Sequence, residues 1–161
     1  MKESLYEAKD ELKRVDHQIY VSLKYTRTVD VLLNCVGRMI DAYNCLIESL
    51  LKYAIEKRKI HEDFIPTSPL EKGNLVKELY QDEIVQQNMN DYFLLRKIHK
   101  STPRKEQEFR RHVALRADID GKEALVNIDT ATETYHKIKA FYDWIEQKIV
   151  EDESLKTKEK E

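Results

Sequence analysis

The chain has 161 residues and a formal net charge of −2, with 41% hydrophobic and 36% charged residues. Its three glycines and three prolines are too few for the frequent turns of a sheet-rich fold, so the composition favours a few long helices in one domain. The most apolar region, residues 29–55, is interrupted by seven charged or amide side chains, which argues against a membrane span.

The first predicted helix covers residues 4–23. Ser4 and Glu7 form an S-x-x-E capping box at its start. Hydrophobic residues then recur every three or four positions, which places one apolar stripe on an otherwise charged helix. Residues 25–28 break this pattern with β-branched and hydroxyl side chains. We therefore predict a tight turn there, with Thr28 as the N-cap of the next helix.

A second helix is predicted over residues 29–60, and apolar side chains cover more than half of its circumference. A helix buried that widely must be contacted on several sides, so we expect it at the centre of the domain. Its narrow polar stripe consists of Asp30, Asn34, Arg38, Asp41, Glu48 and Lys52. The spacing of the first four residues suits an exposed ladder of ion pairs, and the alternative is a buried polar site between helices.

Two prolines end the second helix within residues 61–74. Residues 68–71 could cap a short helical turn, which Gly73 weakens. A third helical segment follows over residues 75–100. Its hydrophobic spacing slips near Asp82, so the segment is either one helix or two helices, the second capped by Asp82.

After Phe109 the hydrophobic pattern changes from helical spacing to the alternation of a strand. Two alternating runs flank Asp120-Gly121, and this dipeptide favours a type I′ turn because both central positions need a positive φ. We therefore predict a β-hairpin over about residues 112–128, packed on the helices or paired with another copy. Residues 104–119 keep a helical alternative, because helix-forming residues dominate their start.

The last helix is predicted to begin at Asp129 or Thr130, where Thr130 and Glu133 form another capping box. Residues 151–161 carry almost no apolar side chain, so we expect a charged, flexible tail after a single domain of residues 1–150. The predicted fold is mainly α. It is an antiparallel bundle of four to five helices with one β-hairpin before the last helix.

Residues 96–116 hold the strongest local charge, with eight Lys or Arg residues against two Glu, a net +6. Such a concentration of charge favours polyanions or acidic protein surfaces as partners. The candidate nucleic-acid-binding residues are Arg96, Lys97, Lys100, Arg104, Lys105, Arg110, Arg111 and Arg116. Tyr92, Phe93 and Phe109 are near enough to offer stacking faces for bases. The alternative is a solvated helix end, where cations complement the helix dipole.

No motif in the sequence indicates catalysis, a cofactor or a metal ion. The five histidines lack the spacing of a zinc site, and the three glycines are too scattered to cradle a phosphate. Asp118-x-Asp120-Gly121 places its glycine at the fourth position, whereas a calcium loop needs glycine at the sixth. Cys35 and Cys45 are expected to be reduced thiols of a cytoplasmic protein.

Three parts of the chain together resemble the HEPN superfamily of small prokaryotic helical domains. They are the helix pair in residues 4–60, LLRKIHK at 94–100, and FRRHVAL at 109–115 before the last helix. The resemblance implies a helical, often dimeric, RNA-associated protein. Ribonuclease members of the superfamily carry Arg and His separated by four to six residues. No Arg of this chain precedes a His at that interval, so the resemblance does not extend to catalysis.

These features predict a cytoplasmic, non-catalytic binding module that acts as a homodimer or another homo-oligomer. Its partner is an RNA or an acidic protein, bound through residues 96–116. The alternative hypothesis is a divergent HEPN-type ribonuclease that uses Arg110 or Arg111 with His112 across a dimer interface. No cofactor, metal ion or membrane contact is expected.

Overall fold

A computed structural model describes residues 2–160 as an antiparallel helical bundle with a small sheet before the last helix; Met1 and Glu161 lie outside the described residues. The helices are α1 (Lys2–His17), α2 (Leu23–Tyr25), α3 (Val29–Glu56), α4 (Pro69–Leu79), α5 (Glu83–Lys100) and α6 (Ile128–Lys160). A π-helical segment, Gln18–Ser22, joins α1 to α2, and a 3₁₀ turn, Glu62–Phe64, precedes α4. The predicted mainly α class is confirmed.

The sheet has three antiparallel strands, in the order β1 (Arg104–Glu106), β2 (Ala114–Ile119) and β3 (Lys122–Asn127). Strands β2 and β3 form the predicted hairpin. At its turn Asp120 and Gly121 have φ values of 51° and 79°, the left-handed geometry that a type I′ turn needs. Strand β1 pairs along β2, so the helical alternative for residues 104–119 is wrong.

Helix α3 is the central helix, as its wide apolar surface predicted. It contacts α1, α4, α5 and α6 on different sides. Leu46 and Leu50, in its middle, have no exposed surface. Tyr43 is equally buried, and its hydroxyl donates a hydrogen bond of 2.8 Å to Asn88 Oδ1 on α5. Within residues 2–160, no helix combines the length and hydropathy needed to cross a membrane.

The starts of α1 and α3 differ in how well the sequence predicted them. Helix α1 begins at Lys2, so Ser4 lies inside its first turn and the predicted capping box is wrong. The Ser4 hydroxyl is buried and accepts a hydrogen bond of 3.0 Å from Lys52 Nζ. The N-cap at Thr28 is confirmed, because its Oγ1 accepts a hydrogen bond of 3.3 Å from the Val31 N–H.

Helix α6 begins one residue before the predicted start, at Ile128. Its capping pair is Asn127 and Thr130: each side chain accepts a hydrogen bond from the other residue's backbone N–H, at 2.8 and 2.9 Å. The predicted box of Thr130 and Glu133 is therefore wrong. The reciprocal capping arrangement exists but lies one turn earlier than predicted, because Asn127 is as good an N-cap residue as Thr130.

As far as the structure describes it, the segment predicted as a flexible tail belongs to α6, which continues to Lys160. Two ion pairs connect this part of α6 to the end of α3 and the residue after it. Lys57 Nζ lies 2.9 Å from Asp152, and Lys156 Nζ lies 2.9 Å from Glu56. The mobility of the segment stays a prediction.

The third helical segment is two helices, the second of the predicted alternatives. Asp82 occupies the N-cap position of α5, although its side chain makes no capping hydrogen bond. Helix α4 starts at Pro69 and contains Gly73 rather than ending near it. A Cβ at Gly73 would lie 2.8 Å from Phe93 Cε1, so this glycine allows the close approach of α4 and α5.

Candidate functional site

The eight basic residues predicted as a nucleic-acid interface fall into two groups. Four of them form ion pairs: Lys97 with Asp120, Arg104 with Asp118 and Glu123, Lys105 with Asp30 and Glu108, and Arg116 with Glu106 and Glu123. The other four have no carboxylate within 4.0 Å in the described part of the chain: Arg96, Lys100, Arg110 and Arg111. Only the second group keeps its charge free for a ligand.

Pairing of the first group follows from strand register. Arg116 on β2 lies between β1 and β3, where its Nε is 2.8 Å from Glu106 and its Nη1 bonds to Glu123. Hydrogen bonds to Glu106 and Glu123 raise the pKa of Arg116 above its ordinary value. Arg104 on β1 reaches Asp118 and Glu123, each at 3.0 Å. These cations therefore join strands across the sheet.

A first pocket lies between α3 and α5, beside the π-helical segment, and has a volume of about 490 Å³. We name it the α3–α5 pocket. Its lining residues are Gln18, Asn34, Gly37, Arg38, Ile40, Asp41, Arg96, His99 and Lys100. Three guanidinium or ammonium groups and one carboxylate line it, so the pocket is cationic.

The polar stripe of α3 forms one wall of this pocket. Asn34, Arg38 and Asp41 share one helix face because they recur at steps of four and three residues. Arg38 Nη1 lies 3.8 Å from Glu11 on α1, and within the described residues no ion pair joins members of the stripe to one another. The predicted ladder does not form, and the alternative of a buried polar site is wrong, because Asp30, Asn34, Arg38 and Asp41 are all exposed.

Helix α5 supplies the opposite wall through its last turns. Arg96 is half-buried, with its guanidinium carbon 5.6 Å from the centroid of the Tyr92 ring. The Tyr92 hydroxyl donates to Asn44 Oδ1 at 2.5 Å, which fixes the ring. Burial raises the pKa of Tyr92, and the Arg96 charge acts in the lowering direction. His99 lies beside Gly37 of α3, where a Cβ would make an ordinary van der Waals contact of 3.4 Å with His99 Nε2.

A second pocket, of about 320 Å³, lies where the loop after β1 meets the start of α6. We name it the loop pocket. Its lining residues are Arg27, Arg111, His112, Asn127, Ile128 and Asp129. Arg27 Nε is shielded from solvent and has no hydrogen-bond partner among the described residues. A shielded donor without an acceptor is uncommon in folded proteins, so it marks a place where a ligand acceptor would be favourable.

The loop at residues 107–113 is fixed to the start of α3 by two hydrogen bonds. Glu108 Oε1 accepts a bond of 3.2 Å from the Val29 N–H, and the Phe109 N–H donates a bond of 2.5 Å to the Arg27 carbonyl. Phe109 has a φ of 64°, in the left-handed region that aromatic residues seldom occupy. Surrounding contacts must hold such a residue in place, and strain of this kind clusters at binding sites.

Exposed aromatic rings accompany the loop pocket. Phe109 is 74% exposed and Tyr25 is 78% exposed. Their backbone segments are adjacent, because Phe109 bonds to Arg27, two residues after Tyr25. Of the three aromatic residues expected to stack on bases, Tyr92 is buried and Phe93 is half-buried, which leaves Phe109.

The residues of these sites that the sequence did not point to include Tyr25, Arg27 and Gln18. Arg27 and Tyr25 lie in the segment that was predicted as a turn, and their proximity to the basic loop depends on the fold. Arg38 was noticed only as part of the polar stripe of α3. That stripe was the one available signal for the α3–α5 pocket.

The α3–α5 pocket is lined by α3, and the loop pocket is lined by Arg27, two residues before α3 begins; we name the surface from one to the other the α3 face. Arg27 precedes the helix, and within the helix Arg38 lies nine residues after Val29, about 14 Å along the axis at 1.5 Å per residue. Between them, Asp30 lies 3.8 Å from Lys105 Nζ. The α3 face therefore carries cations at both ends and a weak ion pair between them.

Among residues 2–160, no group of three or more His, Cys, Asp or Glu side chains is placed to hold a metal ion. Comparison of the chain with protein-family models, with curated proteins and with solved structures finds no match. The resemblance to HEPN domains therefore stays a hypothesis. What the site can do has to be inferred from its own geometry and charge.

Proposed function

We propose that this chain is a non-catalytic module that binds single-stranded RNA along the α3 face, from the loop pocket to the α3–α5 pocket. The proposal rests on the division of residues 96–116 into paired and unpaired cations. The four unpaired cations lie at or next to the two pockets, whereas the four paired cations stabilise the sheet and its surroundings. Unpaired cations gain most from phosphate, because binding releases the counterions of the nucleic acid without breaking an internal ion pair.

Single-stranded RNA fits this surface better than a duplex. The exposed rings of Phe109 and Tyr25 offer faces on which unpaired bases stack. The helix length of about 14 Å from Val29 to Arg38 corresponds to a few nucleotides rather than to a long duplex footprint. The short face also supports the expected homodimer, since two copies on one strand would double the number of phosphate contacts. The expected cytoplasmic location belongs to this proposal as well.

A salt titration with matched variants tests the proposal. One variant changes the unpaired residues Arg96, Lys100, Arg110 and Arg111 to Gln. A control changes four exposed lysines that have no ion pair within the described chain, Lys9, Lys13, Lys139 and Lys158, to Gln. Both variants alter the net charge by −4, so only the location of the lost charge differs between them.

Fluorescence anisotropy with a labelled single-stranded RNA is measured from about 50 to 300 mM salt. Four phosphate contacts give a slope of log K against log salt of about −2.8, from roughly −0.7 per contact. We expect the first variant to flatten this slope strongly and the lysine control to keep it. Equal losses in both variants, or no binding at about 50 mM salt, would contradict the proposal.

A further comparison separates RNA from an acidic protein partner. The same protein is titrated with a labelled acidic peptide that has no aromatic residues. Binding of the peptide with an affinity equal to that of RNA would favour a protein partner. Light scattering of the free and RNA-bound protein reports the oligomeric state, and a monomer in both forms would remove the homodimer from the proposal.

The alternative function is a ribonuclease, and one observation favours it: Arg111 and His112 line the same pocket as Arg27. Purified protein is incubated with RNA in EDTA, and the products are separated on a gel. Cleavage that disappears in His112→Ala but persists in His136→Ala, an exposed histidine on α6, would establish the alternative. Intact RNA in all samples would contradict the ribonuclease and leave RNA binding as the proposed function.

A further inference from the structure

The α3–α5 pocket has more positive charge than an internal phosphate of RNA requires. Arg38, Arg96 and Lys100 come from two helices and line one volume of about 490 Å³, which is in the range of small-ligand pockets. An internal phosphodiester carries a single charge. A phosphomonoester carries about −1.5 to −2 at pH 7 and presents three strong acceptor oxygens. Arg96 and Lys100, which have no described carboxylate within 4.0 Å, together with Arg38, whose Nη1 lies 3.8 Å from Glu11, therefore match a phosphomonoester better than a diester.

The remaining polar groups of the pocket match the rest of a nucleotide. Asp41 can accept hydrogen bonds from ribose hydroxyls or from an exocyclic amine of a base, and it would repel a bare phosphate. Gln18 and Asn34 each provide both donors and an acceptor, as base edges do. A pocket for inorganic phosphate alone would need none of these three side chains.

The backbone around the pocket is shaped in a way that ordinary bundle packing does not require. Gln18 is the first residue of the π-helical segment, and such segments inside α-helices occur frequently at functional sites. Arg96 is held against the Tyr92 ring, so one cation is already oriented before a ligand arrives.

We propose that the α3–α5 pocket binds the terminal phosphomonoester of a nucleotide, with the phosphate held by Arg38, Arg96 and Lys100. The inference rests on the proposed RNA-binding function and adds that the strand is held by its phosphorylated end. The rest of the strand then follows the α3 face toward the loop pocket. A free nucleoside monophosphate has the same chemistry and is the other source of such a group.

Three RNAs of one sequence test the inference: one with a 5′-phosphate, one with a 3′-phosphate and one with hydroxyls at both ends. We expect one phosphorylated form to bind at least about tenfold more tightly than the hydroxyl form, because a tenfold change needs only one good charged contact. This advantage should vanish in Arg96→Gln and be partly kept in Arg96→Lys. It should be unchanged in Arg111→Gln, whose lost charge lies in the loop pocket.

Small-ligand titrations with adenosine monophosphate, adenosine and inorganic phosphate complete the test. The monophosphate should bind more tightly than the other two, and Arg38→Gln should weaken it. If all three RNAs bind equally tightly, the inference fails and RNA binding stands. If the monophosphate binds through Arg38 but no RNA binds, the pocket is supported and the RNA function fails. Tighter binding of inorganic phosphate than of the monophosphate would overturn the assignment to a nucleotide.

Discussion

Replacing Tyr43 by Phe should remove a hydrogen bond that joins α3 to α5 in the centre of the bundle. Tyr43 Oη lies 2.8 Å from Asn88 Oδ1, and Tyr43 and Asn88 are 0% and 4% exposed. In the Phe variant the Asn88 oxygen loses this donor at a place that solvent does not reach. An unsatisfied buried acceptor costs about 1–3 kcal/mol, so we expect a loss of that size in the free energy of unfolding.

The partner substitution, Asn88→Ala, should also destabilise the protein, because it leaves the Tyr43 hydroxyl without its acceptor. It removes the bond of 2.8 Å from Asn88 Nδ2 to the Ile84 carbonyl as well. In the double variant neither buried partner is left unsatisfied. The stability lost by the double variant should therefore be smaller than the sum of the two single losses by about 1 kcal/mol or more. The cavity made by Ala is present with and without Tyr43, so it cancels in this double-mutant cycle.

Urea unfolding followed by the fluorescence of Trp144, the single tryptophan, measures these differences. Trp144 stacks on Phe141 at a centroid distance of 6.2 Å, so its environment changes when the core opens. The matched control is Tyr25→Phe, whose hydroxyl lies on a residue that is 78% exposed; its effect should stay within about 0.5 kcal/mol. A Tyr43→Phe loss no larger than that of the control, or strictly additive single losses, would refute the reasoning.

Three further predictions concern the core and its buried titratable groups. Leu50→Ala should cost about 2–5 kcal/mol in urea unfolding, because Leu50 is fully buried on the central helix; a loss below about 1 kcal/mol would contradict that position. Gly73→Ala should cost about 1–3 kcal/mol, although alanine has a better helix propensity than glycine, because the new methyl group would lie 2.8 Å from Phe93 Cε1. Equal or higher stability of the variant would show that the Phe93 ring moves aside. Burial raises the pKa of Cys35 from 9.0 to about 12 and that of Tyr80 from 10.0 to about 12. Above pH 9 the unfolded chain binds fewer protons than the folded one, so the free energy of unfolding should fall as the pH rises toward 12. Cys35→Ala should make the first part of that fall less steep. An unchanged pH profile in this variant would rule out Cys35 as a cause.

Features that depend on neighbouring residues were determined by the sequence alone. The apolar circumference of residues 29–60 predicted a central helix, because a side chain's place on a helix follows from its spacing. The predicted end was wrong, since α3 stops at Glu56, well before the prolines. Asp120-Gly121 predicted the hairpin turn, because the two residues accept positive φ without help from the fold. The capping box at Thr130 was wrong by one turn, since Asn127 is an equally acceptable cap and packing selects between them; Ser4 lies inside the first turn of α1.

The division of the basic segment was decided only by the tertiary structure. A count of charges in residues 96–116 treats all eight cations alike, whereas Arg116 is neutralised by Glu106 and Glu123 through the register of three strands. Arg96 lies against the Tyr92 ring and lines a pocket with the polar stripe of α3, where no described carboxylate comes within 4.0 Å of it. An ion pair or a pocket needs groups that are distant in sequence to meet within a few ångströms, and no local pattern encodes that distance.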